Sequence, residues 1–461
     1  MVTQALKCER HGETTRLTCV DCEKPICPKC MVRTEVGLKC EADAVPAGPA
    51  VVDGRPSKLP ILIGIVGVVV LAAVAFLLLG SSEDPEEEVA ALPPVGTWTE
   101  APGLASIRGT ATAVVLDDGT VLAAGGGVGA IALEAAEIFD PEAEAWRQVA
   151  PLAEARRGHQ AVLLDDGRVL VAGGLASGVP LASAEIYDPG ADSWSPVASM
   201  SVPRLGHSLT LLSDGRVLAA GGSALESDEA AGGGQTIRTV ATSEIFDPSA
   251  GTWSGAAEMG TPRFEHTATL LGDGRVFMVG GLGPTEGAEQ DLPLRSTEFY
   301  DPAANAFVSS SDLAEGRANH AAALLNDNAV IVSGGTGGES GDISVASAEV
   351  FDNRAATWST VGAMGTPRTG HTSTALEDGR VLVAGGDTMR RGSRRSLTSA
   401  EVFEFDLGAS GQWRSGGDMV CPRSEQAAVL LGDGSVLVIA GDAAFPGQAP
   451  MAQSCVGRYQ P

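Results

Sequence analysis

The sequence predicts a mainly β chain built around a seven-bladed propeller, preceded by a small cysteine-rich module and one apolar segment. Three observations predict it. Arg108, Arg156, Arg204, Arg263, Arg317, Arg368 and Arg423 recur at matched places in near-identical phrases. Six of these phrases run on to a Gly-Gly pair, as in RRGHQAVLLDDGRVLVAGG (156–174). The period of roughly 50 residues is that of repeats that each form one blade and bury their faces only against neighbours.

Length and charge agree. A chain of 461 residues is too long for one ordinary core. The net charge is −27, and nearly all the excess acid falls after residue 80. That acidity disfavours nucleic acid as a partner, because phosphates require cationic patches. Six of the eight cysteines precede residue 41, and only Cys421 and Cys455 fall among the repeats. This split places the two ends in different redox compartments.

Residues 59–80, LPILIGIVGVVVLAAVAFLLLG, carry no charge. As a helix the segment would be about 33 Å long, enough to cross a hydrocarbon core of ~30 Å, so a single transmembrane helix is expected. Arg55 and Lys58 precede it, and Glu83, Asp84, Glu86, Glu87 and Glu88 follow. The positive-inside rule then expects a cytoplasmic N-terminus and an extracytoplasmic propeller. The expected organisation is a module at 1–44, a linker at 45–58, the helix at 59–80, an acidic linker at 81–95 and the propeller at 96–461.

The N-terminal module reads Cys8-x2-His11, Cys19-x2-Cys22, Cys27-x2-Cys30 and Cys40-x2-Asp43. Thiolate and imidazole pairs two residues apart suit structural zinc, and eight ligands suffice for two tetrahedral ions. So small a segment needs such a staple to fold. Residues 8–43 resemble a B-box-type zinc finger. The resemblance implies cross-bracing, with Cys8, His11, Cys27 and Cys30 on one ion and Cys19, Cys22, Cys40 and Asp43 on the other. The family often ends in histidines, whereas this chain ends in Cys40 and Asp43.

Each repeat reads as four strands. In the second, GHQAVLLDD (158–166) meets a DG turn, a hairpin signal. RVLVAGG (168–174) is an apolar inner run, SAEIYDP (183–189) follows a variable loop, and Trp194 lies on a last strand. The doublet, the aromatic and a Trp seven residues on resemble the kelch repeat, over about 96–461. The seventh doublet has drifted to Ala440-Gly441. Trp98 precedes the first arginine, and Tyr459 lacks a following Trp. One blade is therefore shared: residues 95–101 supply the outer strand of the blade formed by 423–461, which removes two open edges. The tether should leave the face opposite the variable loops at 223–242, 282–296, 336–347, 387–399 and 442–455.

Candidate chemistry is weighed against the repeat. His159, His207, His266, His320 and His371 each follow an arginine by three residues, and bonding to a neighbouring blade's backbone is favoured over a metal cluster. The arginines are expected to pair with Glu137, Glu185, Glu244, Glu298, Glu349 and Glu401, since buried charges need partners; an arginine ring binding an anion is the alternative. The Asp-Gly turns read as turn chemistry rather than calcium sites. Kelch propellers include galactose-oxidase-like copper enzymes, but Tyr187, Tyr300 and Tyr459 all occupy the repeat's aromatic slot. The loop MRRGSRR (389–395), with Arg390, Arg391, Arg394 and Arg395, and the acidic ESDEAAGGGQ (226–235) are solvated insertions or a recognition patch. Cys421 and Cys455 lie two strands, about 9–10 Å, apart; a disulfide is expected if the 442–455 loop folds over.

The function expected is a membrane-anchored, non-enzymatic binding or adaptor protein. Its propeller loops would engage a protein or glycan outside, and its zinc module a cytoplasmic protein. The alternative is an envelope carbohydrate-active enzyme using the propeller channel.

Overall fold

A computed structural model describes residues 6–7, 14–15, 31–34, 37–40 and 94–461, apart from 229–233, 289, 327, 339, 391–392 and 406–410. The chain divides into two compact units, Met1–Val89 and Ala90–Pro461.

In the first unit two short hairpins are described. Leu6–Lys7 pairs with Thr14–Thr15, and Met31–Thr34 with Gly37–Cys40.

The second unit is a ring of seven antiparallel sheets. In the second blade the strands run Gln160–Leu163, Val169–Ala172, Ala184–Asp188 and Ser193–Pro196 from the axis outward. The first strands of all seven blades neighbour one another in a closed circle. Second strands such as Val169–Ala172 are wholly buried, as their unbroken apolar run dictates. The core consists of seven clusters between adjacent blades; one joins Leu122 and Ile138 of the first blade to Val169, Val171 and Tyr187 of the second. The shared blade is as expected: Thr97–Ala101 pairs with Val456–Gln460, setting Trp98 opposite Tyr459.

Between second and third strands every blade carries a small hairpin. The longest described ones are Ser223–Asp228 with Gly234–Thr239 and Asp387–Arg390 with the start of Ser393–Glu404. The segment after each arginine bridges to the residue after each doublet, as in Leu205 with Ser223 and Ser424 with Asp442. The variable insertions are therefore a crown of hairpins held at the mouth of the axial channel.

The expected transmembrane helix is corrected. Among the described residues none is helical, so no helix there is long and apolar enough to cross a membrane. Residues 59–80 themselves lie outside the described residues. The expectation rested on hydropathy and length, which do not fix backbone conformation. The fold class is a mainly β seven-bladed propeller, and the single-pass description is withdrawn with the helix.

Candidate functional site

The arginine position organises each blade. All seven arginines are fully buried. Arg156 Nη2 donates to Glu185 at 2.9 Å, and the equivalent pairs are Arg204–Glu244 at 3.0 Å, Arg263–Glu298 at 2.7 Å, Arg317–Glu349 at 2.9 Å and Arg368–Glu401 at 2.7 Å, with Arg108 on Glu137. Each carboxylate also accepts backbone N–H groups; Glu185 takes those of Ala153 and Glu154. These six arginines clamp blades and are not available to an anion at the channel.

Two residues beyond each arginine the chain turns to the axis in the left-handed conformation. Gly158, Gly206 and Gly370 hold it at φ 59–63°, but so do Thr110 at 49°, Glu265 at 53°, Asn319 at 50° and Glu425 at 53°. The conformation lets successive blades join main chain to main chain around the axis: Glu265 N–H donates to Gly206 O at 2.8 Å, Asn319 N–H to Glu265 O at 3.0 Å, Gly370 N–H to Asn319 O at 3.0 Å and Glu425 N–H to Gly370 O at 2.8 Å. Glycine adopts this geometry freely, whereas a side chain there costs about 1–2 kcal/mol. Four blades carry that cost and present Thr, Glu, Asn and Glu to the channel, and such strain gathers at functional sites.

Above this belt lies a cavity of ≈ 670 Å³. Glu265 and Glu425 stand at its rim with Asn319 between them, whose Nδ2 donates to Glu425 Oε1 at 2.8 Å. Asp387 and Asp442, the residues after the sixth and seventh doublets, add acid beside them. Arg394 enters from the crown, pairs with the buried Asp387 and lies 3.8 Å from Glu425. It thus offsets part of the mouth's acidity rather than extending a basic patch. The side chain of Glu265 reaches water, yet the channel wall around it and the charge of Glu425 push its carboxyl up to about 7, against the pull of Arg394. Burial and the charge of Glu425 also raise Asp442.

Deeper in the wall the five histidines form a girdle. Four of them bond sideways, though not to backbone as expected. His159 Nε2 meets Thr112 Oγ1 at 2.9 Å, His266 meets Ser208 at 3.0 Å, His320 meets Thr267 at 3.0 Å and His371 meets Ser333 at 3.1 Å, each partner lying in the preceding blade. His207 faces Gln160 in that slot, and neither ring nitrogen has a partner. Burial holds His159, His207 and His371 near 3, so the imidazoles are neutral. Among the described residues no group of three or more His, Cys, Asp or Glu is arranged to hold a metal.

The remaining candidates fall elsewhere. The Asp-Gly turns are self-satisfied; Asp166 takes the Arg168 N–H and guanidinium. Tyr187, Tyr300 and Tyr459 are buried between blades, beside the outer-strand aromatics. Arg391 and much of the 226–235 insertion lie outside the described residues. Of the zinc candidates, Cys40 ends a described strand; Cys8, His11, Cys19, Cys22, Cys27, Cys30 and Asp43 lie outside the described residues. Cys421 and Cys455 are joined, with Cα atoms 6.6 Å apart. Bridging needs no folded-over loop, because the segment before every arginine already runs beside its own third strand, as the Glu185 contacts show. The acids of the channel mouth were missed from sequence, although aligning the repeats on their arginines sets Thr110, Glu265, Asn319 and Glu425 against three glycines.

Residues 108–153 and 156–201 match the Kelch motif, and residues 3–35 match the B-box zinc finger, a family that implies zinc binding. The chain is similar to Kelch-like protein 23 of Homo sapiens, 25% identical over 205 residues that cover 44% of this chain and 33% of the relative. It is also similar to Kelch-like protein 34 of Homo sapiens, 28% identical over 159 residues covering 33% and 24%. It therefore matches a third or less of the length of these curated relatives. Among solved structures it resembles a fungal alcohol oxidase of the AA5 family in complex with copper, with TM-score 0.61, 16% identity and coverage of 80% and 76%. It also resembles YjhT, with TM-score 0.51, 12% identity and coverage of 68% and 99%. At these identities the likeness is one of fold.

Proposed function

We propose that this protein is a non-enzymatic adaptor whose propeller receives a basic segment of a partner protein at the channel mouth. One observation carries the reading. At a ring position where glycine is free of strain, the chain instead places two glutamates and an asparagine over a 670 Å³ cavity. Kelch and B-box modules mediate protein contacts, which supports a second partner at the N-terminal module. A lysine or arginine entering the mouth would meet Glu265 and Glu425 and displace little structure. Binding of lysine-rich and glutamate-rich peptide pools to the full chain, measured by calorimetry, tests this. The lysine-rich pool should bind and should lose affinity in Glu265→Gln/Glu425→Gln; equal binding of both pools, or glycan binding alone on an array, refutes it.

The N-terminal module would hold two zinc ions, with Cys8, His11, Cys27 and Cys30 on one and Cys19, Cys22, Cys40 and Asp43 on the other. Released zinc of two equivalents on thiol titration is the expected result. For the propeller we propose an extracytoplasmic, oxidising location, supported by the Cys421–Cys455 bond.

A carbohydrate-active enzyme is the second reading, favoured by the carboxyl of Glu265 at about 7, a value suited to a general acid. Turnover in a glycoside panel that Glu265→Gln abolishes would establish it.

A further inference from the structure

In six blades the buried arginine has a glutamate, and in five of them Nη2 also finds a hydroxyl two residues before that glutamate. Ser183 is 3.1 Å from Arg156 and Ser347 is 3.1 Å from Arg317. The seventh blade has neither. Gly457 stands where the others have glutamate, and Cys455 stands where they have the hydroxyl. Arg423 Nη1 donates to the carbonyls of Ala440 at 3.0 Å and Cys455 at 2.8 Å, but Nη2 reaches no acceptor. Among the described residues no carboxylate pairs with Arg423, and burial alone draws its guanidinium down to about 10. Cys455 is bonded to Cys421, which holds the place of Glu154 and Glu315. Those two carboxylates accept hydrogen bonds from Ser183 and Ser347. The disulfide thus replaces a repeat hydrogen bond while leaving a buried cation without its anion.

We propose that Cys421–Cys455 is a redox-active disulfide, and that on reduction the Cys455 thiolate becomes the missing counter-ion of Arg423. A disulfide sulfur is neutral and a weak acceptor; a thiolate beside a guanidinium is stabilised, and stabilising the reduced form makes a disulfide easier to reduce. Both cysteines are partly exposed, so a dithiol reaches them. The dithiol attacks one sulfur and then closes on itself. It leaves with the two electrons' equivalent of oxidation as a cyclic disulfide, and the products are the Cys421 thiol, the Cys455 thiolate and one released proton.

The test equilibrates full-length protein in dithiothreitol redox buffers and follows each cysteine by peptide-resolved mass spectrometry. Cys421→Ser frees the Cys455 thiol for a pH profile of alkylation. Cys455 should titrate below about 7.5, against about 8.5 for a free cysteine. Gly457→Glu supplies the absent carboxylate, and its Cβ would lie 3.4 Å from the Trp98 ring, an ordinary contact. In that background the thiol should return to about 8.5 or higher, and the disulfide should become at least tenfold harder to reduce. A wild-type Cys455 that titrates at 8.5 or above, or a reduction equilibrium that Gly457→Glu leaves unchanged, overturns the proposal.

Discussion

Ala440 of the seventh blade and Ala111 of the first pack together in the core at the ring's closing junction. At the other junctions the first glycine of the doublet faces a large side chain. A Cβ on Gly125 would lie 2.6 Å from His159 Cε1, one on Gly334 2.6 Å from His371, and one on Gly385 2.8 Å from Gln426 Nε2. Only where the next blade offers alanine does the doublet carry alanine, at φ 60°. The drift of the seventh doublet is therefore a compensated change and not decay.

This relationship makes a rescue prediction. Ala111→His should overpack the junction and destabilise the propeller by about 1–3 kcal/mol. Adding Ala440→Gly should recover most of that loss, because it rebuilds the arrangement of the other junctions. Urea unfolding of the single and double variants measures it. Additive losses would mean that the two positions do not share space.

The histidine girdle predicts acid sensitivity. His159 is held near 3 when folded and titrates near 6.5 when unfolded. Its contribution to stability is whole above pH 6.5 and is lost as pH falls toward 3, by about 2 kcal/mol at pH 5. Gln426 shows that glutamine fills the slot, donating from Nε2 to Ala384 O at 2.7 Å. His159→Gln should thus fold normally at pH 7 and keep more stability than wild type at pH 5. Unfolding midpoints at the two pH values decide the matter.

The parts of this architecture that repeat were legible in the sequence. Seven arginines, six glutamates each two residues before a third-strand aromatic, and the misplaced Trp98 and Tyr459 required seven blades, ion-paired clamps and a shared blade, because symmetry repeats one contact around the ring. What depended on neighbouring blades was not. The histidines bond to Thr112 or Ser208 because a hydroxyl happens to stand opposite, a fact that no single repeat contains. The acid mouth was likewise hidden, since Glu265 and Glu425 lie 160 residues apart in sequence and share a rim only through ring closure. The apolar run at 59–80 lies outside the described residues, and the helix expected there rested on hydropathy and length, which report burial preference and not conformation.

The arginine clamps predict an asymmetric loss. Glu185→Ala leaves the buried Arg156 guanidinium facing only the half-exposed Glu154 at 3.7 Å among the described residues, at a cost of up to about 3–5 kcal/mol. Adding Arg156→Met removes the stranded charge but should recover the loss only in part. The carboxylate also serves the N–H groups of Ala153 and Glu154, at 2.7 and 3.1 Å, and these remain without it. Thermal unfolding of the single and double variants distinguishes this from a simple ion pair, for which recovery would be complete.

Glu265 predicts pH effects of opposite sign to those of the histidines. Its folded value of about 7 lies above the ordinary 4.5, so its contribution to stability is present below 4.5 and is lost as pH rises through 7. Glu265→Gln should therefore be more stable than wild type at pH 8 and equal to it at pH 4. Ionisation also strengthens the mouth for a cation, so lysine-peptide affinity should rise between pH 6 and 8 in wild type and stay flat in the variant. Calorimetry at the two pH values checks both the site and its charge.

The closing strand gives the last prediction. Trp98 packs on Tyr459 with ring centroids 5.2 Å apart and donates from Nε1 to Gly416 O at 2.9 Å. Trp194 makes the same contacts inside the second blade, 5.0 Å from Tyr187 and 2.8 Å to Ala150 O. Alanine at either position removes similar apolar contact, about 3 kcal/mol. The consequences should still differ. Trp194 joins strands already linked by a short connection, so its loss should loosen one blade. Trp98 holds strands more than 350 residues apart, and the loop entropy of that span opposes their rejoining. Trp98→Ala should therefore raise hydrogen exchange at both Thr97–Ala101 and Val456–Gln460 together, and also along the junction with the first blade at Ala111. Trp194→Ala should confine faster exchange to Ala184–Asp188 and its neighbours. If the two variants exchanged alike, the shared blade would be no weaker than the others, and ring closure would not limit the fold.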